Sequence, residues 1–140
     1  MKPVRVLLAI EQDDFREILR RALSAKNTGI VLVGEAANDL EAIELASQAS
    51  PDVLILDLHL KDQGGLELTQ KIKARFPATR ILILNTQVKK EEILDLVDSG
   101  IAGYLTILEA PELLASAIHS CMKEVLWLSP DVQARLLETP

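Results

Sequence analysis

The chain has few residues of the types that form disulfide bonds, metal sites or aromatic stacking. Its 140 residues include one cysteine, Cys121, and two histidines, and aromatic side chains make up only 3%. A single cysteine excludes an internal disulfide framework and is typical of a reducing compartment, so we expect a cytoplasmic protein. Because aromatic rings are scarce, the core has to be built from Leu, Ile, Val and Ala.

Positive charge and long apolar runs are also lacking. Lys and Arg number 15 against 21 Asp and Glu, which gives a net charge of −6. Binding to nucleic acid needs clustered Lys and Arg, so we do not expect this segment itself to hold DNA. The apolar runs are strand-length, far below the roughly 20 residues of a membrane span, and no signal peptide is visible. The sequence therefore predicts no membrane partner.

The motifs of several enzyme classes are absent. There is no glycine-rich dinucleotide fingerprint, no GxxxxGK[ST] phosphate loop and no G-x-S-x-G nucleophile turn. His59 and His119 lie far apart, and neither has a cysteine at metal-binding spacing. The sequence therefore offers no support for these chemistries.

What the chain does have is a strand and a helix in alternation, five times over. Five short apolar runs predict strands, and they lie at 4–10, 30–35, 53–56, 80–84 and 102–107. Helical spacing separates them, with Asp13 and Asn38 as expected N-caps of the first two helices. The pattern predicts a parallel sheet covered on both faces by right-handed crossovers. Beyond it, Ser129-Pro130 predicts a short final helix, with Ser129 as N-cap and proline at the first helical position.

The stretch from Pro51 to Gly65 is central to this pattern. A buried strand ends at Asp57, and Gly64-Gly65 opens the next helix. Glu11 follows the first strand, so the two carboxylates face one crevice if the two strands are neighbours. Carboxylate oxygens with a backbone carbonyl and water suit Mg²⁺, and His59 could line the same crevice. The alternative is that these are solvated loop residues.

At this point the chain resembles the receiver domain of bacterial two-component response regulators. The resemblance rests on the spacing of Glu11, Asp57 and Gly65, on Pro51-Asp52, and on the segment 100–105, and it covers nearly the whole chain. The stretch 127–132 resembles the NarL/FixJ-type subfamily just before its linker to a LuxR-type helix-turn-helix.

The resemblance implies a doubly wound (βα)5 flavodoxin-like α/β sandwich of three layers, with parallel sheet order 2-1-3-4-5. It implies a receiver domain over 1–125 and a C-terminal extension over 126–140 that leads toward a possible output-domain linker. For the core of this sheet we expect five buried residues: Leu8, Val33, Ile55, Leu82 and Leu105.

The resemblance also implies a role for individual residues. Asp57 stands where the family's aspartate accepts a phosphoryl group from a histidine kinase. Glu11, Asp57 and His59 are the expected Mg²⁺ site. Tyr104 stands at the family's aromatic reporter position on the fifth strand.

Three positions depart from the family pattern. Ile10 stands where a second acid is expected, Asn85 where a hydroxyl is expected and Ile107 where a lysine is expected. Thr86 is adjacent to Asn85, and strand alternation predicts that it points to the opposite face. We therefore expect a degenerate phosphorylation site.

The leading prediction is a signalling module and not an enzyme: an atypical, phosphorylation-independent receiver that controls an attached or partner output, expected to be a transcription factor. The alternative is a conventional receiver phosphorylated on Asp57 by a histidine kinase. A hydrolase of the haloacid dehalogenase type would need an acid where His59 stands. A bare protein-interaction or small-ligand module also stays open, and the apolar Ile107 favours it.

The expected partners follow from the same resemblance. We expect a homodimer, formed either by the fourth helix, fifth strand and fifth helix or by the first and fifth helices. DNA is expected to bind only through an output domain outside this segment.

Overall fold

The computed structural model describes residues 2–59, 65–86, 89–123 and 125–138. Gly64, which the sequence analysis assigns to a helix start, lies outside the described residues. The elements in chain order are β1 (Val4–Ala9), α1 (Asp13–Leu23), β2 (Ile30–Ala36), α2 (Asp39–Ala49), β3 (Val53–Asp57), α3 (Gly65–Arg75), β4 (Arg80–Asn85), α4 (Lys90–Asp98), β5 (Gly103–Thr106), α5 (Ala110–Lys123), β6 (Trp127–Leu128) and α6 (Pro130–Leu137).

The strands form one sheet in the order β2-β1-β3-β4-β5-β6, and every pairing is parallel. This confirms the predicted order 2-1-3-4-5 and the doubly wound architecture. A sixth strand was not predicted from the sequence, and it adds Trp127 and Leu128 to the outer edge of β5. Backbone N–H groups of Trp127 and Ser129 donate to the carbonyls of Ala102 and Tyr104 at 2.9 and 3.1 Å.

The core consists of two apolar layers, one on each face of the sheet. All five residues of β3 are buried, and its side chains alternate between the layers, as the period of a strand requires. The apolar stripes of α1 and α5 cover one face. Those of α2, α3, α4 and α6 cover the other. A strand apolar on both sides therefore lies at the centre, as expected for a parallel sheet.

Four of the five residues expected in the core are fully buried: Leu8, Ile55, Leu82 and Leu105. The prediction for Val33 is wrong, because this residue is only half-buried. It lies on β2, which among the described strands is an edge strand with a neighbour on one side only.

Two of the three predicted helix N-caps are confirmed by the structure. Asn38 caps α2, and its side-chain oxygen accepts the backbone N–H of Glu41 at 2.9 Å. Ser129 caps α6 in the same way. Asp13 is not the cap of α1, because the helix already begins at this residue and Gln12 takes the cap position without a side-chain hydrogen bond. Asp13 instead pairs with Arg16, one turn along the helix.

No helix within the described ranges is both long enough and apolar enough to cross a lipid bilayer.

Candidate functional site

A cavity of about 350 Å³ opens at the carboxyl ends of β1 and β3. Because these strands are neighbours, the structure brings together the two acids that the sequence analysis singled out. Glu11 and Asp57 both line this cavity, as do His59, Thr86 and Ile107. We call it the Asp57 cavity.

Asp57 is the last residue of β3 and only 5% exposed. Burial raises the pKa of its carboxyl group, although the backbone N–H groups of His59 and Glu11 act in the opposite direction. The His59 N–H donates to Asp57 Oδ1 at 2.9 Å. The carboxylate is thus fixed in place, with little water to support its charge.

The expected metal set of Glu11, Asp57 and His59 lines one cavity without forming a three-ligand group. Within the described part of the chain, no three His, Cys, Asp or Glu side chains are placed so that they could hold a metal ion. The ring of His59 is turned to Thr86, with 3.0 Å between Nε2 and Oγ1. The structure thus places two carboxylates at the cavity, and the Mg²⁺ site at Glu11, Asp57 and His59 stays a prediction.

Ile10 contributes to the core and not to the cavity. It is fully buried in the layer beneath α1 and α5. Its backbone is also engaged, since its N–H donates to the Ala36 carbonyl at 3.0 Å and its carbonyl accepts from Arg16 Nη1 at 2.8 Å. A position that could have supplied a further carboxylate therefore supplies packing.

Ile107 lies in the turn after β5 and forms an apolar part of the cavity wall. Its backbone N–H donates to the Asn85 carbonyl at 3.1 Å, so the turn is fixed to the end of β4. No amine reaches the cavity from this position.

Asn85 is directed toward Tyr104 and α4. Its Nδ2 donates to Tyr104 Oη at 3.0 Å and to Glu92 Oε1 at 2.8 Å. The Tyr104 hydroxyl in turn lies 3.4 Å from the same Glu92 oxygen. We call these three residues the tyrosine network, and it joins β4, α4 and β5.

Tyr104 is fully buried at the centre of this network. Burial raises the pKa of its phenol well above the ordinary value, and the nearby Glu92 carboxylate adds to the rise, while the Asn85 hydrogen bond lowers it. The hydroxyl therefore stays protonated and holds its hydrogen bonds across the physiological range.

The expectation that Thr86 points away from the site is wrong. Strand alternation applies within a strand, but β4 ends at Asn85 and Thr86 already lies in the following bend. Its hydroxyl lines the Asp57 cavity and bonds to His59. The end of the apolar run at Leu84 was the available signal that the alternation stops here.

Glu92 is a second residue that sequence reasoning missed. It lies in the first turn of α4, seven residues after Asn85. An acid in a first turn is explained by the helix dipole alone, so its sequence position gave no separate sign of a link to Tyr104.

Comparisons with known proteins agree with the fold. The family model for the response regulator receiver domain matches residues 6–119. The chain belongs to the response regulator receiver family. The curated relatives of this receiver include the "uncharacterized transcriptional regulatory protein YxjL" of Bacillus subtilis, 33% identical over 120 residues that cover 86% of this chain and 55% of the relative.

Another relative is a nitrate/nitrite response regulator protein homolog of Haemophilus influenzae. It is 36% identical over 107 residues, which cover 76% of this chain and 51% of the relative. The receiver thus spans about half the length of the curated relatives it matches.

Solved structures give the same family. A LuxR-family two-component response regulator from an Aurantimonas species superposes with a TM-score of 0.88 at 30% identity, covering 96% of this chain and 95% of that one. The isolated receiver of RcsB from Salmonella enterica, in the presence of the phosphomimetic BeF3−, gives a TM-score of 0.86 at 25% identity, covering 97% and 99%. Receiver domains are signalling domains and not enzymes, which sets the hydrolase alternative aside.

Proposed function

We propose that this receiver is an atypical signalling domain that controls an attached or partner output without phosphorylation of Asp57. The observation that carries the proposal is the direction of the Asn85 amide. It donates to Tyr104 Oη and Glu92, so Tyr104 is held buried by side chains of the domain itself. A modification shifts a conformational equilibrium only through a difference in its interactions with the two states. If Tyr104 is already fixed in its buried position, phosphorylation of Asp57 can create little difference in interactions between the two states.

The surroundings of Asp57 support the same proposal. A phosphoryl group on this residue would meet the apolar Ile107 where an ion pair with an amine could form. Losing one positioned electrostatic partner of this kind can cost roughly 10²–10³ in rate.

We also propose that the Asp57 cavity binds Mg²⁺ weakly. Receiver domains commonly bind Mg²⁺ at the phosphorylation site, but here Ile10 packs into the core and the described residues give no three-ligand group. A hard cation depends on anionic oxygen ligands, and Glu11 and Asp57 supply only two carboxylates.

The alternative function is a conventional receiver in which a histidine kinase phosphorylates Asp57. The arrangement that favours it is the pairing of Asp57 with Glu11 at one open cavity, with the Thr86 hydroxyl on its wall. Thr86 would then interact with the phosphoryl oxygens in place of Asn85.

The proposed setting follows from the family. The output is a transcription factor, reached through the extension after residue 125, and DNA binds only to that output. The receiver itself forms a homodimer and works in the cytoplasm.

A small acyl phosphate separates the two functions. The chain is incubated with acetyl phosphate and Mg²⁺, and the intact mass and sedimentation are recorded, with Asp57→Asn as the matched control. We expect no phosphoryl adduct on Asp57 that changes the sedimentation of the chain. An adduct that is absent in Asp57→Asn and changes the sedimentation of the chain would overturn the proposal in favour of the conventional receiver.

A further inference from the structure

The carboxylate of Glu109 accepts hydrogen bonds from two separate segments of the chain. The Thr106 backbone N–H and hydroxyl both lie 3.0 Å from Oε1, and Ser129 Oγ donates to the same oxygen at 2.5 Å. The Asp131 backbone N–H donates to Oε2 at 3.1 Å. Burial alone would raise the pKa of Glu109, but these bonds hold it below its ordinary value. An ionised carboxylate therefore joins the turn after β5 to the first turn of α6.

The segment 126–138 is attached to the domain by apolar packing as well as by Glu109. Among the described strands, its strand β6 pairs with β5. The apolar side chains that pack against the core are the fully buried Val132 and the partly buried Leu126, Trp127, Leu128 and Leu136. The bonds at Glu109 add contacts to a charged group, which are stronger than those between neutral groups.

The turn of residues 106–109 lies between the Asp57 cavity and α6. Ile107 and Thr86 line the Asp57 cavity on one side. The same two residues line a second cavity of about 530 Å³, whose other wall includes Asp131 and Arg135 of α6. The turn is thus the element through which a change at the Asp57 cavity would reach the C-terminal segment.

We propose that Glu109 is a clasp that fastens the segment 126–138 to the turn after β5, and that opening this clasp releases the segment while the receiver stays folded. The released segment uncovers the outer edge of β5, where the carbonyl groups of Tyr104 and of Ala102, the residue before the strand, are otherwise paired with it. The clasp is independent of whether Asp57 is phosphorylated.

Hydrogen exchange at backbone amides tests the clasp on the full chain. In Glu109→Ala we expect amides of β6 and α6 to exchange on the order of tenfold faster, as expected when one charge-assisted contact is lost. Amides of β1 and β3 should keep their rates. Glu109→Gln, which keeps the size of the side chain and one oxygen, should give a smaller change of the same pattern and serves as the second variant if the alanine variant folds poorly.

The matched control is Glu112→Gln, an exposed acid in the first turn of α5, which should leave every rate unchanged. Unchanged exchange in α6 or uniform acceleration across the whole domain would each overturn the proposal.

Discussion

At the scale of single residues, Asp57 carries a charge where little water reaches it. Burial raises its pKa, so the folded state binds this proton more strongly than the unfolded state does. Its contribution to stability is therefore most favourable below the ordinary carboxyl pKa and is lost as pH rises through the folded value. An uncharged side chain at this position avoids that loss at neutral pH.

Asp57→Asn should accordingly stabilise the receiver at neutral pH, by about 1 kcal/mol, because burying a charged carboxylate costs more than burying a neutral amide, for which the cost is roughly 1–3 kcal/mol. The amide oxygen can still accept the His59 N–H. Urea unfolding measures the difference, and the gain should shrink as the pH is lowered toward the ordinary carboxyl value. Glu44→Gln, at an exposed helical position, is the control and should change little. Destabilisation by Asp57→Asn at neutral pH would mean that the carboxylate has stronger partners than the structure assigns.

Tyr104 offers a second test at this scale, because it is the only tyrosine in the chain. Its raised pKa means that phenolate absorbance should not appear near pH 10, where a free tyrosine ionises, while the protein stays folded. The folded state keeps the proton that the unfolded state loses, so stability should fall as pH rises above that value.

The informative variant is Asn85→Ala, with Tyr104→Phe as the absorbance background. If the tyrosine network holds Tyr104 inside, the substitution frees the ring and part of the phenol ionises near its ordinary pKa. A phenol that still resists ionisation in the folded variant would show that packing alone keeps Tyr104 buried.

The residue types at the site could be predicted from the sequence, but the orientations of their side chains could not. The positions of Glu11, Asp57 and Ile107 follow from the strand ends, because carboxyl ends of parallel strands share one edge. The partners of Asn85 depend on side-chain torsions and on Glu92, which reaches it from α4. No sequence spacing specifies such a rotamer, so the tyrosine network was not foreseen.

At the scale of elements, α1 and α2 are helices of equal length that differ in their N-terminal caps. Asn38 caps α2 through its side chain, while Gln12 at the start of α1 makes no such bond. Asn38→Ala should therefore cost about 1 kcal/mol, whereas Gln12→Ala should cost close to nothing. Thermal unfolding of the two variants at equal concentration measures the contrast. Equal losses in both would contradict the assignment of the caps.

The elements that the sequence predicted well are those with a clear period. Five strands and five helices follow from apolar spacing, and their ends differ from the prediction by a few residues. The strand β6 has no period to detect, since it consists of Trp127 and Leu128 and is defined only by the edge of β5 that it joins. Short elements of this kind depend on tertiary contacts and not on local pattern.

At the scale of the whole molecule, the sheet order was predicted from the family resemblance, and the structure confirms it. Right-handed crossovers and a continuously apolar central strand agree with this order but are also compatible with other orders. What these rules do not give is the attachment of the segment 126–138, which depends on the bonds at Glu109. Its role as an extension toward an output domain remains a proposal.

The most direct test of the account is a titration with beryllofluoride and Mg²⁺, which mimics the phosphoryl group, followed by amide NMR spectra of the unmodified chain. We expect no saturable shifts at Asp57 and Tyr104. In a chain that combines Ile10→Asp, Asn85→Thr and Ile107→Lys, the same titration should produce them. Saturable shifts at both residues in the unmodified protein would contradict the account and make this receiver a conventional phosphorylation switch.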